Sequence, residues 1–242
     1  MKKIFIVSLT VNMIFFLLFG YIIYKKGEFT CLQSKPGLKK EMQMSSKPNW
    51  YYKNFKYWQD KKTLFEVLPN SPNEIIFLGN SITDGCEWAE LFNNPLIKNR
   101  GIGGDNTEGI LERLGEITDS HPKKIFIGIG LNDLTLKETT FLICENYKQI
   151  LDKIRSASPT TKIYIQSVLP TNNYETGNDS IIFLNNKIKE IANYYQLTYI
   201  DLFSEFVDKN GELDMQYSFD GVHLNGQGYL LWKKIIEQMV SE

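Results

Sequence analysis

The sequence predicts an α/β protein: a three-layer αβα sandwich around a central, mostly parallel five-stranded sheet, preceded by one N-terminal transmembrane helix. Three observations carry this. Short apolar runs recur five times with amphipathic helical stripes between them, the alternation that gives a parallel sheet covered by helices on both faces. One of these runs, Ile75–Leu78, is apolar at every position, as a strand buried on both faces requires. Residues 4–24 form an uncharged run of 21 residues between Lys2-Lys3 and Lys25-Lys26. At about 1.5 Å per residue a helix of that length spans a hydrocarbon core of about 30 Å.

Taken in order, residues 1–24 read as an uncleaved anchor. A cleavable signal has a shorter apolar region and a small-x-small cut site, and the approach to Cys31 does not look like a lipoprotein signal. Residues 25–49, with Gly27, Pro36, Gly37, Ser45, Ser46 and Pro48, read as a basic linker, which leaves 50–242 as the folded domain. Lysines after the span outnumber those before it, a count that alone would hold the domain in the cytoplasm. From Trp50 to Leu68 the positions Tyr51, Phe55, Trp58 and Phe65 recur at helical spacing and read as core packing, and Pro69 ends the helix. Strands are expected at 74–78, 96–100, 124–129, 162–168 and 198–201. The helical stripes are Ile110/Leu114/Ile117, Phe141/Cys144/Leu151/Ile154, Ile181/Leu184/Ile188/Ile191/Tyr195 and Tyr229/Trp232/Ile236/Met239.

Composition narrows the function. A chain of 242 residues, 43% hydrophobic and 23% charged, suits one domain with a sizeable core. The net charge of -1 hides an asymmetry: residues 1–62 hold 12 lysines against Glu28, Glu41 and Asp60, and the remainder holds 15 basic and 25 acidic residues. An acidic domain argues against nucleic acid as a partner. Three cysteines with no Cys-x-x-Cys spacing argue against a zinc site or a disulfide framework, and Cys86 reads as a packing residue.

The residues that bear chemistry lie at the strand ends. Ser81 follows the first strand through Gly79 and Asn80, at the sheet edge where open α/β folds bind ligands. It is a candidate nucleophile, or simply the cap of the next helix. Asn99-Arg-Gly-Ile-Gly-Gly-Asp-Asn-Thr107 follows the second strand. It is neither a dinucleotide fingerprint nor a phosphate loop. Its glycines suit an oxyanion hole, and a tight turn with Asp105 as helix cap reads equally well. Asn132, after the third strand, offers an amide donor at the same edge or serves as a turn residue. Of the two histidines, His121 precedes a strand, at the far end of the sheet from Ser81. His223 follows Asp220 by three residues, close enough for Asp220 to fix its tautomer and leave Nε2 free for Ser81. A structural turn pair is the other reading. Trp88, Tyr174, Tyr217 and Phe219 are candidates to border a cleft or to pack.

With Gly79-Asn-Ser-Ile, Gly104, Gly130-x-Asn132 and Asp220-x-x-His223 in this order, the chain resembles the SGNH (GDSL) hydrolases over roughly residues 70–242. The run 77–84 with 99–105 is most similar to the platelet-activating-factor acetylhydrolase-like and bacterial carbohydrate acetylesterase subgroup. The resemblance implies a flavodoxin-like fold and a catalytic set of Ser81, Asp220 and His223. It also implies oxyanion donors from the Ser81 and Gly104 N–H groups and the Asn132 amide. Many members are exported, which turns the expected domain outward from the membrane. One departure is Asn80 where the family has Asp; it keeps an acceptor oxygen without the charge and bears on the rigidity of the loop. An α/β-hydrolase is disfavoured, since its elbow would want Gly where Thr83 stands and its acid and histidine lie far apart in sequence.

The resemblance implies removal of a short acyl group, acetyl above all, from a carbohydrate or lipid-like ester; the residues themselves suggest an acyl-enzyme route with no metal and no organic cofactor. Two alternatives use the same residues: acyl transfer to a sugar hydroxyl, or a membrane-tethered binding module that has lost turnover. Expected partners are therefore a small-molecule or glycan ester and, through the N-terminal helix, a membrane.

Overall fold

Five strands form one sheet, and each falls on one of the apolar runs. The computed structural model describes residues 56–173 and 176–242. The elements are α1 (Lys56–Val67), β1 (Ile75–Gly79), α2 (Ser81–Asp84), α3 (Trp88–Leu91), β2 (Ile97–Gly101), α4 (Thr107–Thr118) and β3 (Lys124–Gly128). They continue with α5 (Leu131–Thr135), α6 (Thr140–Ala157), β4 (Lys162–Gln166), α7 (Asn178–Tyr194), β5 (Thr198–Ile200), α8 (Phe203–Phe206) and α9 (Gly226–Ser241).

Every pairing is parallel, in the order β2-β1-β3-β4-β5. The chain leaves β1 for β2 on one side and then crosses to β3 on the other. That reversal opens a crevice beyond the carboxyl ends of β1 and β3. Ile75, Ile76, Phe77 and Leu78 are all buried, which explains the unbroken apolar run: a strand covered on both faces has no polar side. Register then builds an aromatic ladder across one face. Phe77 stands beside Phe126, and Phe126 beside Tyr164, with ring centroids 5.0 and 4.6 Å apart. Trp88 stacks on Phe77 at 4.3 Å. Each such pair adds about 0.5–1.5 kcal/mol beyond its buried area.

The helical stripes face this core. Ile110, Leu114 and Ile117 of α4, all five stripe residues from Ile181 to Tyr195, and Trp232 and Ile236 of α9 are buried. Phe141 departs from its stripe and is half exposed, because the buried face of α6 begins at Ile143. In α1, Trp58 and Phe65 are buried, while Tyr51 and Phe55 lie outside the described residues.

The expectation of a membrane-spanning helix is corrected. No helix among the described residues is long and apolar enough to cross a membrane. Even α6, with 18 residues, carries Glu145, Lys148, Asp152, Lys153 and Arg155. Residues 1–24 and the linker 25–49 lie outside the described residues, as do the domain boundaries drawn there. The fold is therefore stated without an anchor, and the single-pass, outward-facing localisation that depended on one falls with it, as does the membrane as a partner.

Candidate active site

The site is built on the end of β1. A Cβ on Gly79 would lie 2.2 Å from Thr83 Oγ1 and 2.5 Å from the Gly128 carbonyl, so only glycine lets α2 fold back against the strand. Asn80 is extended, and its Oδ1 accepts the Ile82 N–H at 3.0 Å, capping α2. The acceptor oxygen that Asn80 shares with aspartate thus organises the loop. Asn80, not Ser81, is the cap. Ser81 Oγ instead lies 3.0 Å from His223 Nε2.

His223 is held by a tight loop ahead of α9. Asp220 Oδ2 lies 2.8 Å from His223 Nδ1, and its Oδ1 accepts the backbone N–H groups of His223 at 2.7 Å and Val222 at 2.9 Å. Burial pushes this carboxyl up, but the side-chain and backbone hydrogen bonds of His223, with that of Val222, outweigh it and hold it well below the usual carboxylate range. Ser218 pins the loop from inside, donating to the His223 carbonyl at 2.7 Å and accepting the Gly221 N–H at 2.9 Å. From the β4 side, Thr171 Oγ1 and Asn172 N donate to the Gly221 carbonyl. Ser218 and Thr171 carry no signal of this role in the sequence, because each acts on a loop that only the tertiary fold brings together.

Gly79 is in register with Gly101 on one side and Gly128 on the other. Ser81, Gly104 and Asn132 therefore follow the carboxyl ends of three adjacent strands. Gly104 has φ +79°, a left-handed conformation that favours glycine. Asn132, in α5, donates from Nδ2 to the Asp105 carbonyl at 2.8 Å, which fixes the amide plane and leaves its second hydrogen free of that bond.

Asp105 is not the cap of α4. Asn106 is, accepting the Gly109 N–H at 2.8 Å. Asp105 is fully buried, accepting Trp58 Nε1 at 2.9 Å and Arg113 Nε at 2.8 Å. Burial raises its carboxyl above the usual range, against the pull of Arg113. Neighbouring Asp133 accepts the Thr107 N–H at 3.1 Å and the Thr107 hydroxyl, yet burial pushes it up to about 7.

The remaining candidates separate cleanly. Cys86 is buried and its thiol is pushed up to about 12 by burial, as befits a packing residue. Trp88 is core, donating to the Thr83 carbonyl. Tyr217 packs edge-on against Phe206. Phe219, next to Asp220, is 88% exposed, and Tyr174 lies outside the described residues. His121 precedes β3, at the other end of that strand from Gly128. Among the described residues no group of three or more His, Cys, Asp and Glu side chains could hold a metal ion.

Comparison with known proteins bears on the same elements. Residues 77–231 match the model of the GDSL-like Lipase/Acylhydrolase family. The alpha2 subunit of platelet-activating factor acetylhydrolase IB from Homo sapiens is 28% identical over 180 residues, 70% of this chain and 76% of that protein. A Streptococcus pneumonia structure named for platelet activating factor is 26% identical, with a TM-score of 0.70 over 85% of this chain and 100% of its own. A GDSL-like lipase from Bacteroides thetaiotaomicron shares the fold at 22% identity, with a TM-score of 0.67 over 78% and 98% of the two chains. The match covers more than half of the chain and includes every strand-end block described above, so this protein belongs to the GDSL-like lipase/acylhydrolase family, the SGNH hydrolases, and is an ester-hydrolysing enzyme.

Proposed function

We propose that the protein removes short acyl groups, acetyl above all, from a carbohydrate or lipid-like ester, with Ser81 as nucleophile. The observation that carries this reading is the unbroken chain from Ser81 Oγ to His223 Nε2 at 3.0 Å and from His223 Nδ1 to Asp220 Oδ2 at 2.8 Å. Within that chain Asp220 holds the imidazole in the tautomer whose Nε2 accepts a proton. His223 takes the Ser81 proton as Oγ attacks the ester carbonyl. The negative charge that develops on the carbonyl oxygen is met by the Ser81 and Gly104 N–H groups and the free hydrogen of the Asn132 amide. His223 then gives its proton to the departing alcohol, leaving an acyl-Ser81. Water, deprotonated by His223, attacks the acyl carbon, and the carboxylic acid leaves as Ser81 recovers its proton.

The acetyl preference draws support from relatives named as acetylhydrolases. The test is hydrolysis of p-nitrophenyl acetate and butyrate by the wild-type chain and by Ser81→Ala. Acetate turnover faster than butyrate, lost in the variant, together with fluorophosphonate labelling of Ser81, is expected. Equal turnover by both proteins would remove Ser81 from the reaction.

A further inference from the structure

We propose that α1 is a built-in support of the oxyanion loop, with Trp58 as a positioning residue that acts through Asp105 on Gly104 and Asn132. This inference rests on the reading of Gly104 and Asn132 as oxyanion donors. The helix lies ahead of residue 77, where the family match begins, so that match assigns it no role.

Three observations converge on it. First, Trp58, Phe65 and Ile102 form a buried cluster separate from the main core. Two of its members come from α1, and the third immediately precedes Gly103-Gly104. Second, Trp58 Nε1 donates to Asp105 Oδ1 at 2.9 Å, while Arg113 holds Oδ2 and also donates to the Arg100 carbonyl at 2.8 Å and the Gly79 carbonyl at 3.3 Å. The same Asp105 offers its carbonyl to the Asn132 amide. Asp105 thus ties α1 and the amide donor together and, through Arg113, joins them to the ends of β1 and β2; it is the residue after Gly104.

Third, α1 grips the nucleophile loop as well. Tyr57 OH donates to Asp84 Oδ2 at 2.7 Å, and Lys61 Nζ lies 3.1 Å from Asp84 Oδ1. Asp84 Oδ2 in turn accepts the Gly103 N–H at 3.2 Å. The loop that carries Gly104 is therefore held on both flanks, at Gly103 through Asp84 and at Asp105 through Trp58. Both holds lead back to α1. A left-handed glycine between two other small or polar residues has little of its own to fix it, and an oxyanion hole works only when its donors are fixed before charge develops.

The test uses the 242-residue chain and p-nitrophenyl acetate. Trp58→Phe keeps an aromatic ring in the buried cluster and removes the N–H together with the five-membered half of the indole, so urea midpoints are measured beside kcat to separate lost packing from lost positioning. The variant is expected to lower kcat about tenfold, the effect of one hydrogen bond to a charged group, with KM and the pH–rate midpoint unchanged. Placed in an Asn132→Ala background, the same change should cost much less than tenfold, because the donor it positions is already gone. Tyr57→Phe removes a hydroxyl from a half-exposed side chain, so it folds even if Trp58→Phe does not, and about a threefold loss of kcat is expected. Wild-type kcat in both variants would overturn the proposal. So would losses that multiply in full in the Asn132→Ala background, or losses explained by a smaller fluorophosphonate-titratable fraction. Ser81→Ala separates the two levels: an active Ser81→Ala sinks the catalytic reading itself, whereas an inactive one beside unaffected Trp58→Phe and Tyr57→Phe sinks only the positioning role.

Discussion

Replacing Asp220 with asparagine tests the catalytic reading at its most constrained atom. Asp220 Oδ1 accepts two backbone N–H groups, at 2.7 and 2.9 Å, and Oδ2 faces His223 Nδ1 at 2.8 Å. Asparagine must keep its carbonyl oxygen at the Oδ1 position, since a flipped amide would set N–H against two N–H donors. Its NH2 then faces Nδ1, which has to become an acceptor. The ring proton moves to Nε2, 3.0 Å from Ser81 Oγ, so a donor sits where the reaction needs a base. The wrong tautomer costs on the order of 10⁴ in kcat when the triad is sealed from water. Here the side chains of His223 and Asp220 are 51% and 57% exposed, and water can compete for the ring. A loss of about 10³ in kcat, roughly 4 kcal/mol in the barrier, is the expected result. The assay is initial-rate hydrolysis of p-nitrophenyl acetate, with fluorophosphonate titration to count competent sites and near-UV circular dichroism to confirm the fold. Activity within tenfold of wild type would refute both the tautomer argument and the place of Asp220 in the reaction.

Two further predictions concern the neighbouring groups. Asn132→Ala should lower kcat by about 10²–10³ with little change in KM, since it removes a donor that acts on charge present only in the transition state; full activity would dismiss it as a donor. Asp133 governs a pH dependence of stability. Its folded value of about 7 lies above its ordinary 3.8, so the stability it contributes is complete below about 3.8 and is lost as the pH rises through about 7. Urea midpoints of the wild type should therefore fall across that window, and Asp133→Asn should flatten the fall; parallel curves for the two proteins would contradict the assignment.

The fold and the four sequence blocks are legible in the sequence because both are local signals. Ile75–Leu78 announces a central strand by its unbroken apolar run, and a serine two residues past Gly79 needs only the strand's end to be in reach of a crevice. Asp220 and His223 lie three residues apart, so one turn suffices to pair them. What escapes is long-range. Trp58 looks like any stripe aromatic, because its partner Asp105 is 47 residues away. Asp105 and Asn106 are equally good caps by type, and tertiary structure chooses between them: Asn106 has the extended backbone of a cap, with φ −134° and ψ −178°, while Asp105 is drawn inward by Arg113. Hydropathy misleads in another way. A 21-residue apolar run states only what a helix of that length could span, and no helix among the described residues is long and apolar enough to cross a membrane.

The buried Asp105–Arg113 pair shows why such a network persists. Both side chains are wholly inaccessible, and removing one partner from a pair of this kind typically costs about 3–5 kcal/mol, yet well-packed apolar residues of similar volume are often as stable. Stability alone therefore does not account for it. Apolar replacements would leave the Gly79 and Arg100 carbonyls without the guanidinium that now binds the ends of β1 and β2 together, and would take from Trp58 Nε1 the Asp105 carboxylate to which it donates. The strand ends in question are those from which Ser81 and Gly104 depart. On the proposed roles of Ser81 and Gly104, a charge pair placed there converts folding energy into fixed angles between the nucleophile loop and the oxyanion loop, and those angles, rather than the pair's own net stability, are what the proposed reaction requires.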